Sequence, residues 1–452
     1  MHRWHDNAKF AMLLIISSGV DAESRAYSLG CMDKPRSYYD YDNFILPTML
    51  MRHRDNYQLL KKLGSGKFSD VFEAVDCSNG NNISTYNSSG GRIGSREANT
   101  PNEANDDYSN RVVIKCLKPV NERKIRREVL VLSHCTQIPN LAKLIGVIWE
   151  DYYTDHSREH HASASTSTKR TSTNLPPSLI LQHAGPNARW LCHGTGMDAF
   201  RNRDVATSST NPTSTSSSAH NSNANSMYLT EEEIKYFVYQ LLIALNGLHS
   251  QGIIHRDVKP RNVLISRGNY CTKNDGDNSN DNTGVGRSLM LIDLGLADFY
   301  IPGQRYNVRV ASRHYKSPEL LVGYEYYDYA LDMWGVGCIL AGLLLRREPF
   351  FRGRDNVDQL AKIAAVLGTP DLLKYCDRYN VRLPAELRKA VGCGTERNTG
   401  RRLWDSMCAP GCPTPSAEGK DLIDRLLVYD HFERLSAAEA MLHPFFDSVR
   451  GK

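Results

Sequence analysis

Long apolar runs are scarce in this chain, and none could cross a bilayer. The longest, residues 10–20 (FAMLLIISSGV), falls short of the roughly 20 apolar residues that a membrane helix needs. Because Arg3 and Lys9 precede it, the run resembles the hydrophobic core of a signal peptide. We favour the alternative, an N-terminal extension that packs or stays disordered, because nothing else in the chain indicates an oxidising compartment. We therefore expect no membrane association.

An excess of one charge and cysteine pairs of the CxxC type are also missing. The 55 Lys and Arg residues and 50 Asp and Glu residues leave a net charge of +5, too weak to predict direct nucleic-acid binding. The 11 cysteines are scattered singly, as expected for reduced thiols in a cytosolic or nuclear protein. Cys408 and Cys412, with Cys393 upstream, leave zinc binding as a minor alternative.

Hydrophobic residues are few for a compact protein, at 41% of the chain. Four stretches rich in Ser, Thr, Asn and Gly contribute to this low share. Such a composition cannot bury enough surface to offset the entropy of ordering, so we predict that they are disordered insertions. The stretches cover residues 77–110, 151–177, 201–226 and 266–287.

The segments between the insertions predict strands first and helices later. Thr230 and Glu233 have the spacing of a capping box at the start of a long helix, and apolar residues follow at helical spacing. A small sheet followed by a larger set of helices indicates an α+β fold with two lobes. The other predicted elements are two strands around a glycine turn within 57–75, strands at 111–118, 179–183 and 289–292, and a helix at 122–135.

A glycine-rich turn, residues 64–71 (GSGKFSDV), is the first candidate for phosphate binding. Its glycines would let backbone N–H groups approach phosphates closely. Ser69 replaces the third glycine of the pattern GxGxxGxV, so a structural hairpin explains the turn equally well. The next predicted strand carries Lys115, which Glu128 could orient toward the α- and β-phosphates. An exposed lysine at a strand end is the common alternative.

The most specific motif is HRDVKPRN at residues 255–262. Asp257 could accept the proton of an attacking hydroxyl, Lys259 could neutralise a γ-phosphate, and Asn262 could ligate Mg²⁺. Phosphoryl transfer requires mainly positioning and charge stabilisation, and this segment could supply both. A purely structural role would not require all of these residue types at this spacing.

A second metal-ligand candidate, Asp293, begins the tripeptide Asp-Leu-Gly after a predicted strand. Alone, this tripeptide could be any turn. Here it follows the HRDVKPRN motif and precedes Ser-Pro-Glu at 317–319, which would close an activation segment. Asp332 and Arg434 are predicted to be buried polar anchors of the helical part.

In combination these motifs resemble the eukaryotic protein kinase fold, and within it the catalytic (alpha) subunits of casein kinase II. The resemblance covers about residues 38–448, apart from the insertions. A generic kinase would not share the most specific strings. These are YQLLKKL at 57–63, IKCLKPV at 114–120, PGQRYNVRVASR at 302–313, LDMW at 331–334, EPFF at 348–351 and VLGT at 366–369.

The resemblance implies a bilobal fold, with a small antiparallel β-rich N-lobe that holds one main helix and a larger helical C-lobe. It also implies a serine/threonine kinase that transfers the γ-phosphoryl of ATP, or of GTP, with Mg²⁺. Acidic residues would follow the target hydroxyl.

By match to the family's motifs, the catalytic residues are Asp257 and Lys259, the metal ligands Asn262 and Asp293, the nucleotide contacts Leu63, Gly64, Ser65, Gly66, Val71, Lys115, Glu128 and His183, and the acid-reading residues Arg309, Arg313 and Lys316.

The segment YYDYD at 38–42 matches the N-terminal segment that holds this family's enzymes active without loop phosphorylation. Between Asp293 and Glu319 nothing resembles an obligatory phosphosite, although Ser312 and Ser317 are present. The resemblance therefore implies constitutive activity.

Partners, location and domain boundaries also follow from the resemblance. It implies acidic protein substrates, a regulatory beta-subunit dimer that would complete a tetramer, and a location in nucleus and cytoplasm. The implied domains are an extension at 1–37, a segment packing on the kinase core at 38–56, an N-lobe at 57–183 with insertions 77–110 and 151–177, a C-lobe at 184–446 with insertions 187–227 and 266–287, and a tail at 447–452.

The chain departs from the family at several positions. Leu294 replaces a tryptophan, Leu181 the gatekeeper phenylalanine and Gln182 the hinge glutamate, while residues 121–127 contain fewer lysines. One alternative function is a pseudokinase scaffold, but such a protein would lack one of the phosphate-handling residues, and all are present. A proline-directed or dual-specificity kinase is the other alternative. Lys316, where proline-directed relatives carry arginine, and the string at 304–313 argue against it.

Overall fold

The computed structural model describes residues 34–78, 110–119, 121–149, 176–191, 228–267, 286–395 and 400–451. Residues 1–33 and most of each polar insertion lie outside these ranges, so the disorder expected for them stays a prediction. Within the ranges, no helix is long and apolar enough to span a membrane.

The chain forms two compact units. The smaller comprises Ile45–Asn121 and Lys143–Pro186, and the larger comprises Met1–Phe44, Glu122–Ala142 and Asn187–Lys452. The helix at 122–134 thus belongs with the larger unit.

The smaller unit contains an antiparallel sheet of five strands. These are β1 (Tyr57–Ser65), β2 (Ser69–Asp76), β3 (Arg111–Leu117), β4 (Leu144–Ile148) and β5 (Ser178–Gln182). They pair in the order β1-β2-β3-β5-β4. Alternation along β3 places Val112 and Ile114 on one face, where they pack with Ala74 and Ile180. The strands predicted in this part of the chain are confirmed to within one residue.

The larger unit combines short strands with nine α-helices among its described residues. The strands are β6 (Arg189–Trp190), β7 (Ile253–Ile254), β8 (Val263–Arg267), β9 (Arg287–Leu291) and β10 (Asp298–Phe299). The α-helices are α1 (Glu122–His134), α2 (Glu231–Ser250), α3 (Pro318–Val322), α4 (Ala330–Leu344), α5 (Asn356–Leu367), α6 (Thr369–Arg378), α7 (Ala385–Ala390), α8 (Ala417–Leu426) and α9 (Ala437–Met441). Strands β6, β8 and β9 form one sheet, and β7 pairs with β10.

Helix α2 begins as its sequence predicts. The Thr230 hydroxyl accepts a hydrogen bond from the Glu233 backbone N–H (3.2 Å), and the Glu233 carboxylate accepts one from the Thr230 backbone N–H (2.8 Å). This capping box satisfies N–H groups that have no partner inside the helix. The mixture of an antiparallel sheet with helices confirms the α+β fold class.

Helix α4 is buried along its whole length, which its apolar sequence explains. A Cβ atom on Gly335 would lie 2.8 Å from the Val258 carbonyl oxygen. Glycine at this position therefore lets the helix pack directly against residues 255–262. The core of the larger unit thus supports the segment that carries the most specific motif.

Candidate active site

Residues 255–262 lie between β7 and β8 and are held by the buried Asp332. Its carboxylate accepts hydrogen bonds from the backbone N–H groups of His255 and Arg256, both at 2.8 Å, and contacts His249 Nε2 at 3.0 Å. A charge that is buried must be paired or hydrogen-bonded, and here three donors surround it. The prediction that Asp332 is a buried polar anchor is confirmed.

A second network, of one buried and two half-buried side chains, joins the same segment to α1 and β10. Asp298 pairs with Arg256 at 2.9 Å and with Arg127 of α1 at 3.0 Å. Burial lowers the pKa of the Arg127 guanidinium, and the Asp298 carboxylate opposes that shift. Arg256 also donates to the Leu296 carbonyl oxygen at 2.6 Å. The orientation of α1 is therefore coupled to that of the HRDVKPRN segment.

Asp257 is the centre of a cluster of donors. Its Oδ2 accepts from Lys259 Nζ (2.5 Å) and Asn262 Nδ2 (3.2 Å). Its Oδ1 accepts from both the backbone N–H and the hydroxyl of Ser312, each at 2.9 Å. The Ser312 hydroxyl also lies 2.8 Å from Lys259 Nζ. These four donors occupy the roughly four lone-pair sites of the carboxylate and fix its direction, so a substrate hydroxyl would take the place of one of them.

Asn262 and Asp293 are brought together by the ladder between β8 and β9. The Ile292 backbone N–H donates to the Asn262 carbonyl oxygen at 2.9 Å, and Asp293 is the next residue. Nδ2 of the Asn262 side chain donates to the Asp257 carbonyl oxygen at 2.9 Å. The amide oxygen of Asn262, Oδ1, therefore points away from that contact. Asp293 has a positive φ of 67°. Amide and carboxylate oxygens are the ligands that Mg²⁺ prefers, so this donor set fits that ion.

The zinc alternative has no support in the part of the chain that is described. No group of three or more His, Cys, Asp or Glu residues there could hold a metal ion. Cys412 instead directs its thiol to the Leu344 carbonyl oxygen at 3.1 Å.

The three residues predicted to read acidic side chains differ in their surroundings. Arg309 and Arg313 are exposed. Lys316 is buried, and its ammonium donates to the carbonyl oxygens of Val310 (2.7 Å) and Val308 (3.5 Å). Burial lowers the pKa of Lys316, whereas the nearby Asp257 raises it. Lys316 thus fixes the backbone of the segment that carries the two exposed arginines.

In the smaller unit, strand register brings several predicted nucleotide contacts side by side. Val71 of β2 is paired with Gly64 of β1 on one side and with Lys115 of β3 on the other. Leu63, Ser65 and Gly66 lie in or beside the same turn, and Lys115 is buried. The sheet therefore aligns a glycine-rich turn with a buried lysine.

Lys118 and Asp70 brace this glycine-rich turn. Lys118 Nζ donates to the Gly66 carbonyl oxygen at 2.7 Å and lies 3.6 Å from the Asp70 carboxylate. Hydrogen bonds from Ser65 and then from Lys62 lower the pKa of Asp70 to about 2. The carboxylate is therefore ionised throughout the physiological pH range.

The remaining two predicted contacts lie in different units. Glu128 is buried on α1 of the larger unit. His183 is in the smaller unit, 3.7 Å from the Glu73 carboxylate. Burial lowers the pKa of His183, although Glu73 opposes the shift.

Sequence reasoning missed the role of Ser312, which it treated only as a site that phosphorylation could reach. The only available signal was its place in the string at 302–313. It also did not anticipate that Asp298 would join Arg127 to Arg256. Neither contact has a local sequence signature, because the partners lie far apart in the chain.

A model of the protein kinase domain matches residues 202–446, just over half of the chain. The match includes the HRDVKPRN segment, Asp293, Ser312 and the buried anchors described above. ATP and a divalent cation are typical of proteins with this domain. The chain therefore belongs to the protein kinase domain family and is a phosphotransferase that acts on proteins.

Proposed function

We propose that this kinase transfers the γ-phosphoryl of ATP, with GTP as a second donor, to serine or threonine residues followed by acidic residues. One observation carries the proposal. The Ser312 hydroxyl lies 2.9 Å from Asp257 Oδ1, and the next residue, Arg313, is exposed. The exposed Arg313 guanidinium therefore belongs to the residue that directly follows the one bonded to the proposed catalytic carboxylate, Asp257. A substrate carboxylate near the target hydroxyl would complement it.

In this mechanism Asp257 orients the substrate hydroxyl and accepts its proton, while Lys259 stabilises the transferring phosphoryl group. Lys115 aligns the α- and β-phosphates. Asn262 and Asp293 would hold Mg²⁺, which when bound would neutralise charge on the phosphates. Little covalent chemistry is left to the protein, so positioning by the networks around Asp257 is its main contribution.

We also propose that the enzyme is constitutively active. The Tyr38 ring stacks on His134 of α1 with 3.9 Å between ring centroids, and Asp42 pairs with Arg123 of α1 at 2.8 Å. Tyr39 contacts the Phe299 ring edge-to-face at 5.4 Å. These contacts support α1 and β10 without a phosphate group.

The remaining expectations are retained as proposals. They are the domain boundaries given above, acidic protein substrates, a regulatory beta-subunit dimer that completes a tetramer, and a location in nucleus and cytoplasm. Co-purification of the full chain with a recombinant beta subunit, followed by mass determination in solution, would test the tetramer.

The acidic specificity is tested with an Asp/Glu-rich serine peptide and its alanine-neutralised copy. Arg313→Ala is expected to raise KM for the acidic peptide about threefold to fivefold, as loss of an exposed ion pair predicts, and to leave KM for the neutral peptide nearly unchanged. Arg305→Ala is the matched control, because Arg305 is an exposed arginine of the same segment that already pairs with Glu325. Equal effects of Arg313→Ala on both peptides would assign Arg313 a structural role.

The brace at the glycine-rich turn leads to a separate prediction. Lys118→Met should raise KM for ATP about threefold with a smaller change in kcat, because a charged hydrogen bond to the Gly66 carbonyl is lost from a partly exposed site. Lys67→Met is the control, since Lys67 is in the same turn and its ammonium lies over the Phe68 ring, at 5.4 Å. Initial rates at varied ATP give both constants. Similar KM values for the two variants would mean that the brace does not shape the nucleotide site.

A further inference from the structure

We propose that Arg354 binds a second acidic residue of the substrate, at a position different from the one that Arg313 contacts. The inference deepens the acidic specificity proposed above and rests on it. Arg354 is in residues 351–355, which lead into α5 and which we call the α5 entry loop. No motif in the sequence marked this loop as part of the site.

The α5 entry loop contacts the activation segment through two adjacent pairs of residues. A guanidinium nitrogen of Arg313 donates to the Arg354 carbonyl oxygen, and His314 Nε2 lies 3.2 Å from the Gly353 carbonyl oxygen. Arg354 is therefore the residue whose backbone carbonyl oxygen binds the Arg313 guanidinium. A substrate that reaches Arg313 passes beside this loop.

The α5 entry loop is also fixed in position. The buried Gln359 side chain accepts from the Gly353 backbone N–H (2.8 Å) and donates to the His314 carbonyl oxygen (3.2 Å). A Cβ atom on Gly353 would lie 2.5 Å from the Gln359 backbone nitrogen, so glycine is required for this close approach. The backbone of Arg354 is thus held against the activation segment rather than free to move away from it.

The guanidinium of Arg354 remains available for binding. Its side chain is 88% exposed, and its ionic partner is Asp358, with an Nε–Oδ2 distance of 3.4 Å. That same Asp358 oxygen already accepts the Arg354 backbone N–H at 2.9 Å, and this hydrogen bond is the main cause of the lowered pKa of Asp358. The two terminal nitrogens have no partner among the described residues.

These observations favour a carboxylate as the group that binds. A guanidinium fork with two unused nitrogens matches a carboxylate in bidentate geometry. The Asp355 carboxylate accepts the Asp358 backbone N–H as the helix cap, and the ion pair of Arg354 is with Asp358 instead. Since the site is exposed, each contact should change kcat/KM by about twofold to fivefold rather than by orders of magnitude.

The test uses a neutral serine peptide in which one aspartate is moved through each position on both sides of the target. For the wild type, Arg313→Ala, Arg354→Gln and Arg354→Glu, kcat/KM is measured for every peptide. Arg388→Gln is the matched control, because Arg388 is an exposed arginine near the end of α7 and its loss changes the net charge equally. We expect Arg354→Gln to abolish the increase in kcat/KM that aspartate gives at one position, by raising KM. The increase that depends on Arg313 should remain.

In a second series with lysine in place of aspartate, Arg354→Glu should go further and prefer lysine at that same position, which a merely structural role would not produce. Profiles of Arg354→Gln and Arg388→Gln that coincide would overturn the role of Arg354 while leaving the acidic specificity intact. If aspartate raises kcat/KM of the wild type at no position, the proposed acidic specificity is overturned, and this inference with it.

Discussion

Asp257→Ala is expected to lower kcat by about a hundredfold to ten-thousandfold, the range that a positioned general base contributes. The reason is the geometry of the carboxylate, which Lys259, Asn262 and Ser312 hold in one direction. Nucleotide affinity should change little, because Asp257 is proposed to contact the attacking hydroxyl. Peptide phosphorylation at saturating Mg-ATP and the binding of a fluorescent ATP analogue measure the two quantities.

Two further variants sharpen this prediction. Asp257→Asn keeps the shape and one acceptor oxygen but removes the charge, so it should lose nearly as much activity as the alanine variant. Ser312→Ala removes the hydroxyl contact and keeps the backbone N–H that bonds Asp257 Oδ1, so its loss should be smaller. Turnover of Asp257→Ala close to that of the wild type would exclude the proposed role of Asp257.

Arg434→Met is expected to lower the free energy of unfolding by about 3–5 kcal/mol, because it leaves the Glu319 carboxylate buried without its partner. Both side chains are fully buried, with 3.0 Å between Arg434 Nη1 and Glu319 Oε1. Arg434 also donates to the carbonyl oxygens of Ala330 and Val428. The pair thus joins α3 to the start of α4 and to the chain after α8. Urea unfolding followed by tryptophan fluorescence gives the free energy.

The pH dependence provides an internal check on that prediction. Burial alone would raise the pKa of Glu319, but the Arg434 guanidinium, with smaller contributions from His431 and a backbone hydrogen bond, offsets burial, and the pKa is lowered. A lowered carboxylate pKa contributes stability that is present above the unfolded-state value of about 4.3 and is lost as the pH falls through the folded-state value. Without Arg434, burial raises the pKa, so Glu319 can take up a proton. The difference from wild type should therefore be smaller at pH 5 than at pH 8.

Arg425→Met is the matched control, because Arg425 forms an exposed pair with Asp421 one turn earlier in α8. Its removal should cost less than about 1 kcal/mol. The double variant Glu319→Gln/Arg434→Met should recover part of the loss, since no unpaired charge remains. Equal destabilisation by Arg434→Met and Arg425→Met would show that the buried pair is not an anchor.

Local chemistry in the sequence was sufficient to predict much of the fold. The capping box at Thr230, the strands around the glycine-rich turn and the burial of Asp332 and Arg434 depend on neighbours in sequence or on the cost of burying charge. The contacts of the Lys316 ammonium could not be predicted from local sequence in this way. Its residue type favours a salt bridge with a substrate, yet its ammonium is bound to backbone carbonyl oxygens.

Contacts between distant segments account for what the sequence could not provide. Ser312 bonds to a carboxylate 55 positions earlier, and the Gly353 carbonyl oxygen lies 3.2 Å from Nε2 of His314, 39 positions earlier. Serine and glycine are common in loops, so neither residue type signals such a role. Only the packing of the helices brings these groups within hydrogen-bonding distance.

Two of the polar stretches, at 77–110 and 266–287, enter and leave the fold at strand ends whose register is fixed. Val75 is paired with Arg111 across β2 and β3, and Arg267 with Arg287 across β8 and β9. Joining two ends that are already aligned costs closure entropy that grows only logarithmically, by about 0.6 kcal/mol for each doubling of length. These connections can therefore lengthen or shorten over many generations with little effect on the equilibrium between folded and unfolded chains. A change in their length would alter how fast the two strands meet more than how firmly they stay together.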